Sequence, residues 1–340
     1  MRKITSSALA ASVLLGCGAA SAATFHIDDR TTLEISGTIE IAVVNEEREI
    51  VENGVTKVKR QTEVLDIDST IQFDGEHLLS EELTTFFRAE FNFEADEDVN
   101  DGFNDVESAF AGIEHKRYGR IWAPFDDGFY DNWINDEVAD EFEITDPSSP
   151  VDTNIEDALL YQTPKILGGL TLGVAFVFKG DGDDTNPRFD DPDDPDPDTE
   201  TAFQVAARYE WDIYKVAVAF DHRGTQFEDP EPLIGGILTV DLSPFRVGVR
   251  AEFQGDSDDD VDDHQGFFGL GVGFDYGVGE LYAIVNQVVA GDDVEDGDRT
   301  EFVWRATYNL GTFEFYLENG YFDRDGDLGN FVAVGFEYGF

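Results

Sequence analysis

The sequence predicts an all-β fold: a transmembrane antiparallel β-barrel of about 16 strands, with short turns at one end and long acidic loops at the other. Three observations carry it. Apolar and polar residues alternate with a period of two in stretch after stretch. Short and long connections between these stretches take turns along the chain. The final residues, Asn330 to Phe340, form an apolar and aromatic stripe in a chain with 74 acidic and only 22 basic residues.

The first 22 residues stand apart. Arg2 and Lys3 make a positive start, Ala8 to Leu15 an apolar core, and Ala20-Ser21-Ala22 a small-residue cleavage site. That is the pattern of a secretory signal peptide, so residues 23–340 are expected to form a single domain. Leu14-Leu15-Gly16-Cys17 offers a lipoprotein cut as an alternative, although Leu15 fits that pattern poorly. Cys17 is the only cysteine, so the mature chain has no disulfide framework and no thiolate metal site.

In Leu33 to Ile41 the odd positions are apolar or Gly37, and the even positions are polar. Leu83 to Phe93 places Leu83, Phe87, Ala89, Phe91 and Phe93 opposite Arg88, Glu90 and Asn92. The pattern returns in Leu170 to Phe178, Phe203 to Trp211, Tyr214 to His222, Phe245 to Phe253, Phe268 to Tyr276, Thr300 to Leu310, Phe313 to Tyr321 and the C-terminal stretch. Such runs read as strands with two unlike faces. The regions near 64–73, 108–124 and 233–242 show it least clearly. Trp211-Asp212-Ile213, Ser243-Pro244, Gly277-Val278-Gly279 and Gly311-Thr312 are tight connections. Glu46–Thr62, Glu94–Asp105, Gly180–Glu200, Gly224–Glu231, Gly255–His264, Gly291–Asp298 and Asp323–Gly329 read as long acidic ones. This is an antiparallel meander, and sheets of that size close.

Orientation follows from size. A ring of about sixteen strands is too wide for side chains to fill. The face with Arg88, Glu90, Arg208, Lys215, Arg246, Arg250, Glu252, Arg305 and Glu318 therefore lines a wet lumen. The apolar face meets a bilayer, with Tyr209, Trp211, Tyr276, Tyr308, Tyr338 and Phe340 placed as interface aromatics. The competing class, a soluble acidic β-sandwich from a saline habitat, leaves the polarity of every second face unexplained. The net charge of -52 excludes a basic nucleic-acid surface. Disorder fails because the aromatic residues, 13% of the chain, recur with strict period. After the signal there is no apolar run of transmembrane-helix length.

Several stretches resemble Gram-negative general porins, the trimeric sixteen-stranded family. They are the signal peptide, Ile35-Ser36-Gly37-Thr38-Ile39, Ala109-Phe110-Ala111-Gly112-Ile113, and Arg120-Ile121-Trp122-Ala123-Pro124-Phe125 with Gly119 before it. Tyr161-Gln162-Thr163-Pro164 with Gly168-Gly169, and the terminal aromatic, complete the match. The resemblance implies an outer-membrane channel for passive diffusion of small hydrophilic solutes and ions. It also implies a homotrimer in contact with outer-membrane lipid and lipopolysaccharide, and no cofactor. Its third loop folds into the lumen and narrows it. Phe336, Tyr338 and Phe340 are similar to the family's signal to the barrel-assembly machinery. The spacing from Gly112 to Arg120 is shorter than usual, which leaves the register of strands four and five open.

Asp126 to Asp157 is the candidate constriction loop, with twelve acidic residues and no Lys or Arg. Glu137 and Glu141 are four apart, so one helical turn puts both on one face. By resemblance, Glu137-Val138-Ala139-Asp140-Glu141-Phe142 matches the segment that points carboxylates into the lumen. The candidate constriction set is Asp126, Asp127, Asp131, Asp136, Glu137, Asp140 and Glu141, with Arg88 and Glu107 on the wall. Porins usually oppose such carboxylates with arginines. Here Glu107 stands where the family often has one, and neither Leu160 nor Gln162 is basic. An acid-ringed opening with few bases predicts cation selectivity.

Asp181 to Glu200, with alternating Asp and Pro, reads as an extended external loop, and a calcium site there or at Asp323–Gly329 is the sharper alternative. Density of acid on this scale suggests a saline habitat. His26, His77, His115, His222 and His264 are scattered, and no nucleophile elbow, zinc-protease helix or phosphate loop occurs, so catalysis is not expected. The closer competitor is a sugar-specific channel, with Trp122, Phe125, Phe129, Tyr130 and Trp133 as an aromatic slide.

Overall fold

The computed structural model describes residues 22–52, 55–93, 95, 103–135, 142, 144, 154–179, 202–223, 231–255, 264–291, 297–323 and 329–340. The predicted signal segment, apart from Ala22, lies outside them, as do most of the stretches read as long loops, the candidate calcium loop at Asp181–Glu200 and residues 324–328 of the other.

The strands, in order, are β1 (Ala23–Asp28), β2 (Thr31–Glu52), β3 (Val55–Asp66), β4 (Thr70–Leu78), β5 (Leu83–Phe93), β6 (Phe103–His115), β7 (Gly119–Asp127), β8 (Asn154–Gln162) and β9 (Leu170–Lys179). They continue with β10 (Ala202–Trp211), β11 (Tyr214–His222), β12 (Leu233–Leu242), β13 (Phe245–Gln254), β14 (Gln265–Asp275), β15 (Glu280–Ala290), β16 (Arg299–Leu310), β17 (Phe313–Phe322) and β18 (Phe331–Gly339).

Apart from β3 and β4, which both pair with β2, consecutive strands pair antiparallel, and β18 closes the ring against β2 from Thr38 to Glu46. Eighteen segments make sixteen places in the ring. β3 and β4 lie end to end along one edge of β2, interrupted at 67–69. β1 and β18 lie end to end along the other, meeting Thr31–Ile35 and Thr38–Glu46. Closure leaves no edge for lipid to meet, and sixteen strands are the size at which a lumen holds water.

The two-residue period decides which way each side chain faces. In β13, Phe245, Val249, Ala251 and Phe253 are exposed on the outside, while Arg250, Glu252 and Gln254 are buried on the inside. In β18, Val332 and Val334 point out, while Phe331 and Ala333 point in. The polar lumen face expected from sequence is the face that the structure buries. Ser243–Pro244 and Gly311–Thr312 form tight turns at one end of the barrel.

The expected loop at Glu46–Thr62 is instead mostly a hairpin. β2 and β3 pair without a break from Ile41↔Asp66 to Glu52↔Val55. Since the contact with β18 and the residues before it ends at Glu47, residues 48–52 stand beyond the wall by ~17 Å at about 3.3 Å per residue. Alternating charge made this stretch look like a solvated loop, yet that charge is matched across the ladder. Arg48 meets Glu63 at 2.9 Å and Arg60 meets Glu47 at 3.0 Å. Exposed pairs of this kind are worth ~0.2–1 kcal/mol each and weaken with salt. Replacing residues 49–56 with a tight turn should therefore leave the barrel folded and its conductance unchanged. Loss of the folded form on gel mobility would contradict this.

The open register also resolves. β6 and β7 pair from Ala109↔Phe125 to His115↔Gly119 around a turn at 116–118. The short Gly112–Arg120 spacing is a tight connection. In β6 the register against β5 jumps from Ser108 to Val106, so Glu107 is the extra residue of a bulge.

Candidate functional site: the lumen and its inner loop

After β7 the chain turns into the ring. Gly128 accepts from the Asn132 amide at 3.3 Å, and Asp131–Asn135 forms one π turn. Phe129, Tyr130, Trp133 and Ile134 are at most 4% exposed. They press on the inner faces of β9 to β12. The Tyr130 amide donates to Gln204 Oε1 at 3.2 Å, and Gln204 donates in turn to Asp221 at 3.2 Å.

Two glycines make room for this. A Cβ at Gly173 would sit 2.7 Å from the Phe129 ring, and one at Gly235 would sit 2.6 Å from Ile134 and from the Tyr130 hydroxyl. Further along, Phe142 packs on Tyr282 of β15 with ring centroids 5.5 Å apart. The Ile144 amide donates to Glu318 of β17 at 3.1 Å. The described parts of the segment between β7 and β8 thus lie on the inner wall at two separate places.

An aromatic chain ties the turn to the wall. Trp122 of β7 meets Phe129 at 5.5 Å, and Phe129 meets Trp133 at 5.0 Å, both edge to face. An arginine covers each end, with Arg120 4.4 Å from the Trp122 ring centroid and Arg208 4.7 Å from that of Trp133. Such contacts add ~0.5–2 kcal/mol each when desolvated. Phe129, Tyr130 and Trp133 are buried in this packing and present little face to a passing solute. That argues for an anchor where a sugar slide was considered. Sequence spacing could not reveal it, because the partners Gly173, Gln204 and Gly235 are more than 40 residues away in the chain.

The candidate constriction residues fall into three groups. Asp136, Glu137, Asp140 and Glu141 lie outside the described residues. Asp126 and Asp127 end β7, paired through the backbone with Ile155 and Asn154 of β8. Asp131 opens the π turn and is half-buried. On the wall, Arg88 faces inward as its parity required, 2.9 Å from Asp74 and 5.5 Å from the Phe110 ring centroid.

The wall carries more arginine than its motifs suggested, but most of it is matched. Arg208 lies 3.3 Å from Glu210, Arg246 3.2 Å from Glu280, and Arg250 3.2 Å from Glu252. Arg299 lies 3.0 Å from Glu301, and Arg305 2.7 Å from Glu314. Arg120 differs: it donates to Gln162 at 2.9 Å. Glu40, Asp221 and Glu318 add further buried acid to the same face. Two arginines missed by the strand patterning, Arg223 and Arg299, are also buried, at strand ends where the alternation gives way to loop composition.

At the closure, Phe340 exchanges two backbone hydrogen bonds with Gly37, at 3.1 and 2.9 Å. Its ring stacks on Tyr338 at 6.2 Å, and Phe336 and Tyr338 both contact Phe313 of β17.

Comparison with known proteins agrees with this geometry. A family model described as Gram-negative porin matches residues 5–327. A monosaccharide porin from a Halomonas species and the major outer membrane protein of Halomonas elongata are each 29% identical over 380 aligned residues, covering 98% of this chain and 99% of theirs. Among solved structures, Salmonella typhi OmpF in complex with daunomycin superposes with a TM-score of 0.64 at 14% identity, over 94% of this chain and all of that one. Vibrio cholerae OmpT gives a TM-score of 0.65 at 11% identity, over 92% and 98%. These structural matches speak for the fold. With the family match they bring sequence, ring and lumen together: the chain belongs to the Gram-negative porins and forms a channel in the outer membrane.

Proposed function

We propose that the channel is cation-selective and passes small hydrophilic solutes and ions by diffusion, with no energy source. The supporting observation is the charge pairing of the wall. Six arginines, Arg88, Arg208, Arg246, Arg250, Arg299 and Arg305, each lie within 3.3 Å of a wall carboxylate. Their positive field is largely cancelled at short range, so the acids of the segment from Asp126 to Asp157 face little opposing charge. At ~0.15 M salt the screening length is ~8 Å, so carboxylates at a narrow opening act on a passing ion while distant loops act weakly. Asp126, Asp127, Asp131, Asp136, Glu137, Asp140 and Glu141 are the proposed constriction acids, with Arg88 and Glu107 on the wall beside them. Changing Asp126, Asp127 and Asp131 together to Asn should move the reversal potential in a KCl gradient towards zero. An unchanged potential would remove these three from the constriction.

Residues 1–22 direct export and are cleaved, and Phe336, Tyr338 and Phe340 address the barrel-assembly machinery. Three copies associate in contact with outer-membrane lipid and lipopolysaccharide; one solved relative, Vibrio cholerae OmpT, is described in a trimer form. The turn end faces the periplasm. A second reading, a channel with preference for monosaccharides, draws on the relative named a monosaccharide porin.

A further inference from the structure

Below the place where the inner loop lands, towards the turn end, the wall holds a polar cavity of about 340 Å³. We infer that this cavity is a binding subsite for a neutral polyhydroxylated solute of monosaccharide size, met on the turn side of the constriction. The inference rests on the channel reading and gives the second, sugar-preferring reading a location.

Register fixes the position. Tyr282, Arg305 and Glu318 are direct neighbours across β15, β16 and β17. The loop touches this row through Phe142 on Tyr282 and Ile144 on Glu318. The remaining lining lies at and beyond the next row towards the turns: Asp275, Glu280, Thr307, Asn309 and Glu314. A solute passing the loop enters or leaves beside these groups.

Their chemistry selects the ligand class. Three carboxylates, Asp275, Glu280 and Glu314, and one guanidinium, Arg305, line the cavity; Glu280 is bound to Arg246, outside the lining, and Glu314 to Arg305. An anion meets three carboxylates, and a cation finds two of those three already held by arginine. A hydroxyl both donates and accepts, so it can bond to either kind of group. A carboxylate that accepts one bond from arginine retains acceptor capacity for a hydroxyl. Asn309 and Thr307 add neutral donors and acceptors at the rim.

The aromatic rings nearby are already covered. Tyr282 is 4% exposed, with Arg246 on its ring and Phe142 beside it, and Tyr316 is 2% exposed under Arg305. Recognition therefore falls to polar groups alone. It is weak, as a transport subsite has to be if solute is to leave it. The volume lies at the small end of the range of about 300–1,000 Å³ typical of ligand pockets. A hexose fits that range, while a long oligosaccharide or a large drug does not.

The test is ion-current noise from purified protein in a planar bilayer, in KCl, with a hexose added to one side at a time. Conduction in KCl alone reports an intact channel, and its absence would defeat the channel reading, not this one. With conduction present, the wild-type protein should show sugar-dependent noise, with faster association from the turn side than from the loop side. Asn309→Ala combined with Glu314→Gln should weaken the hexose effect by about tenfold, the scale of one lost hydrogen bond to a charged group. Noise that is absent, equal from both sides or indifferent to the double substitution would overturn the assignment. So would noise evoked equally by glycine betaine, a zwitterion without hydroxyls.

Discussion

Valine at both Gly173 and Gly235 should raise the single-channel conductance while leaving the barrel folded. At these glycines of the wall the inner loop packs directly against the strands. A Cβ on Gly173 falls 2.7 Å from Phe129, and one on Gly235 falls 2.6 Å from Ile134 and Tyr130. Overpacking of this kind costs about 1–3 kcal/mol per site. The opposing contribution is the burial of Phe129, Tyr130, Trp133 and Ile134, at roughly 1.5–3 kcal/mol for each large apolar side chain. Two overpacked contacts therefore remove a large part of what holds the turn down. The ring itself is less exposed to the change, since its backbone ladder needs no Cβ at either position. The readout pairs single-channel conductance with the heat-modifiable gel mobility of a closed barrel. A double variant that migrates as a barrel but conducts no better than wild type would show that the loop does not narrow the pore.

Deleting Phe340 should reduce the yield of assembled barrel much more than it alters the conductance of what does assemble. Phe340 contributes two backbone hydrogen bonds to Gly37 at the seam between the first and last places in the ring. Each is worth ~0.5–1.5 kcal/mol, and the stack on Tyr338 adds ~0.5–1.5 kcal/mol. The residue sits at the turn end of β18, away from the row where the inner loop lands. Its loss therefore weakens closure without reshaping the narrow part of the lumen. Pulse-labelling the appearance of heat-modifiable protein measures the first effect, and bilayer recording the second. Normal yield with altered conductance would reverse the assignment.

The ring was legible in the sequence because its cause is local. Alternation in stretches such as Phe245–Phe253 is imposed by two solvents, water on one face and lipid on the other, and it survives without any partner strand in view. The β2–β3 hairpin was hidden because its ladder runs on beyond the wall, where no lipid face is imposed. Glu47, Arg48, Lys59 and Arg60 alternate with nothing apolar enough to mark a lipid face, so a ribbon held by cross-strand charge reads as loop. The inner loop was legible only as a likeness. Phe129, Tyr130 and Trp133 carry no sign that they are anchors, because the room they occupy is made by glycines on distant strands. Glu107 was read only by likeness, and its place as the extra residue of a bulge becomes visible only when β5 is laid beside β6. The lumen arginines show the same limit. Parity put Arg208, Arg246, Arg250 and Arg305 on the right face, but only the folded wall shows each one beside a carboxylate.

On the proposed reading, that pairing leaves the acids of the inner segment to set the ion preference. The direct measurement is the reversal potential of purified wild-type protein in a planar bilayer across a KCl gradient. The account predicts discrete conductance steps and a potential of the sign given by K⁺ passing more readily than Cl⁻. A channel that prefers Cl⁻, or a folded protein that conducts nothing, would contradict it.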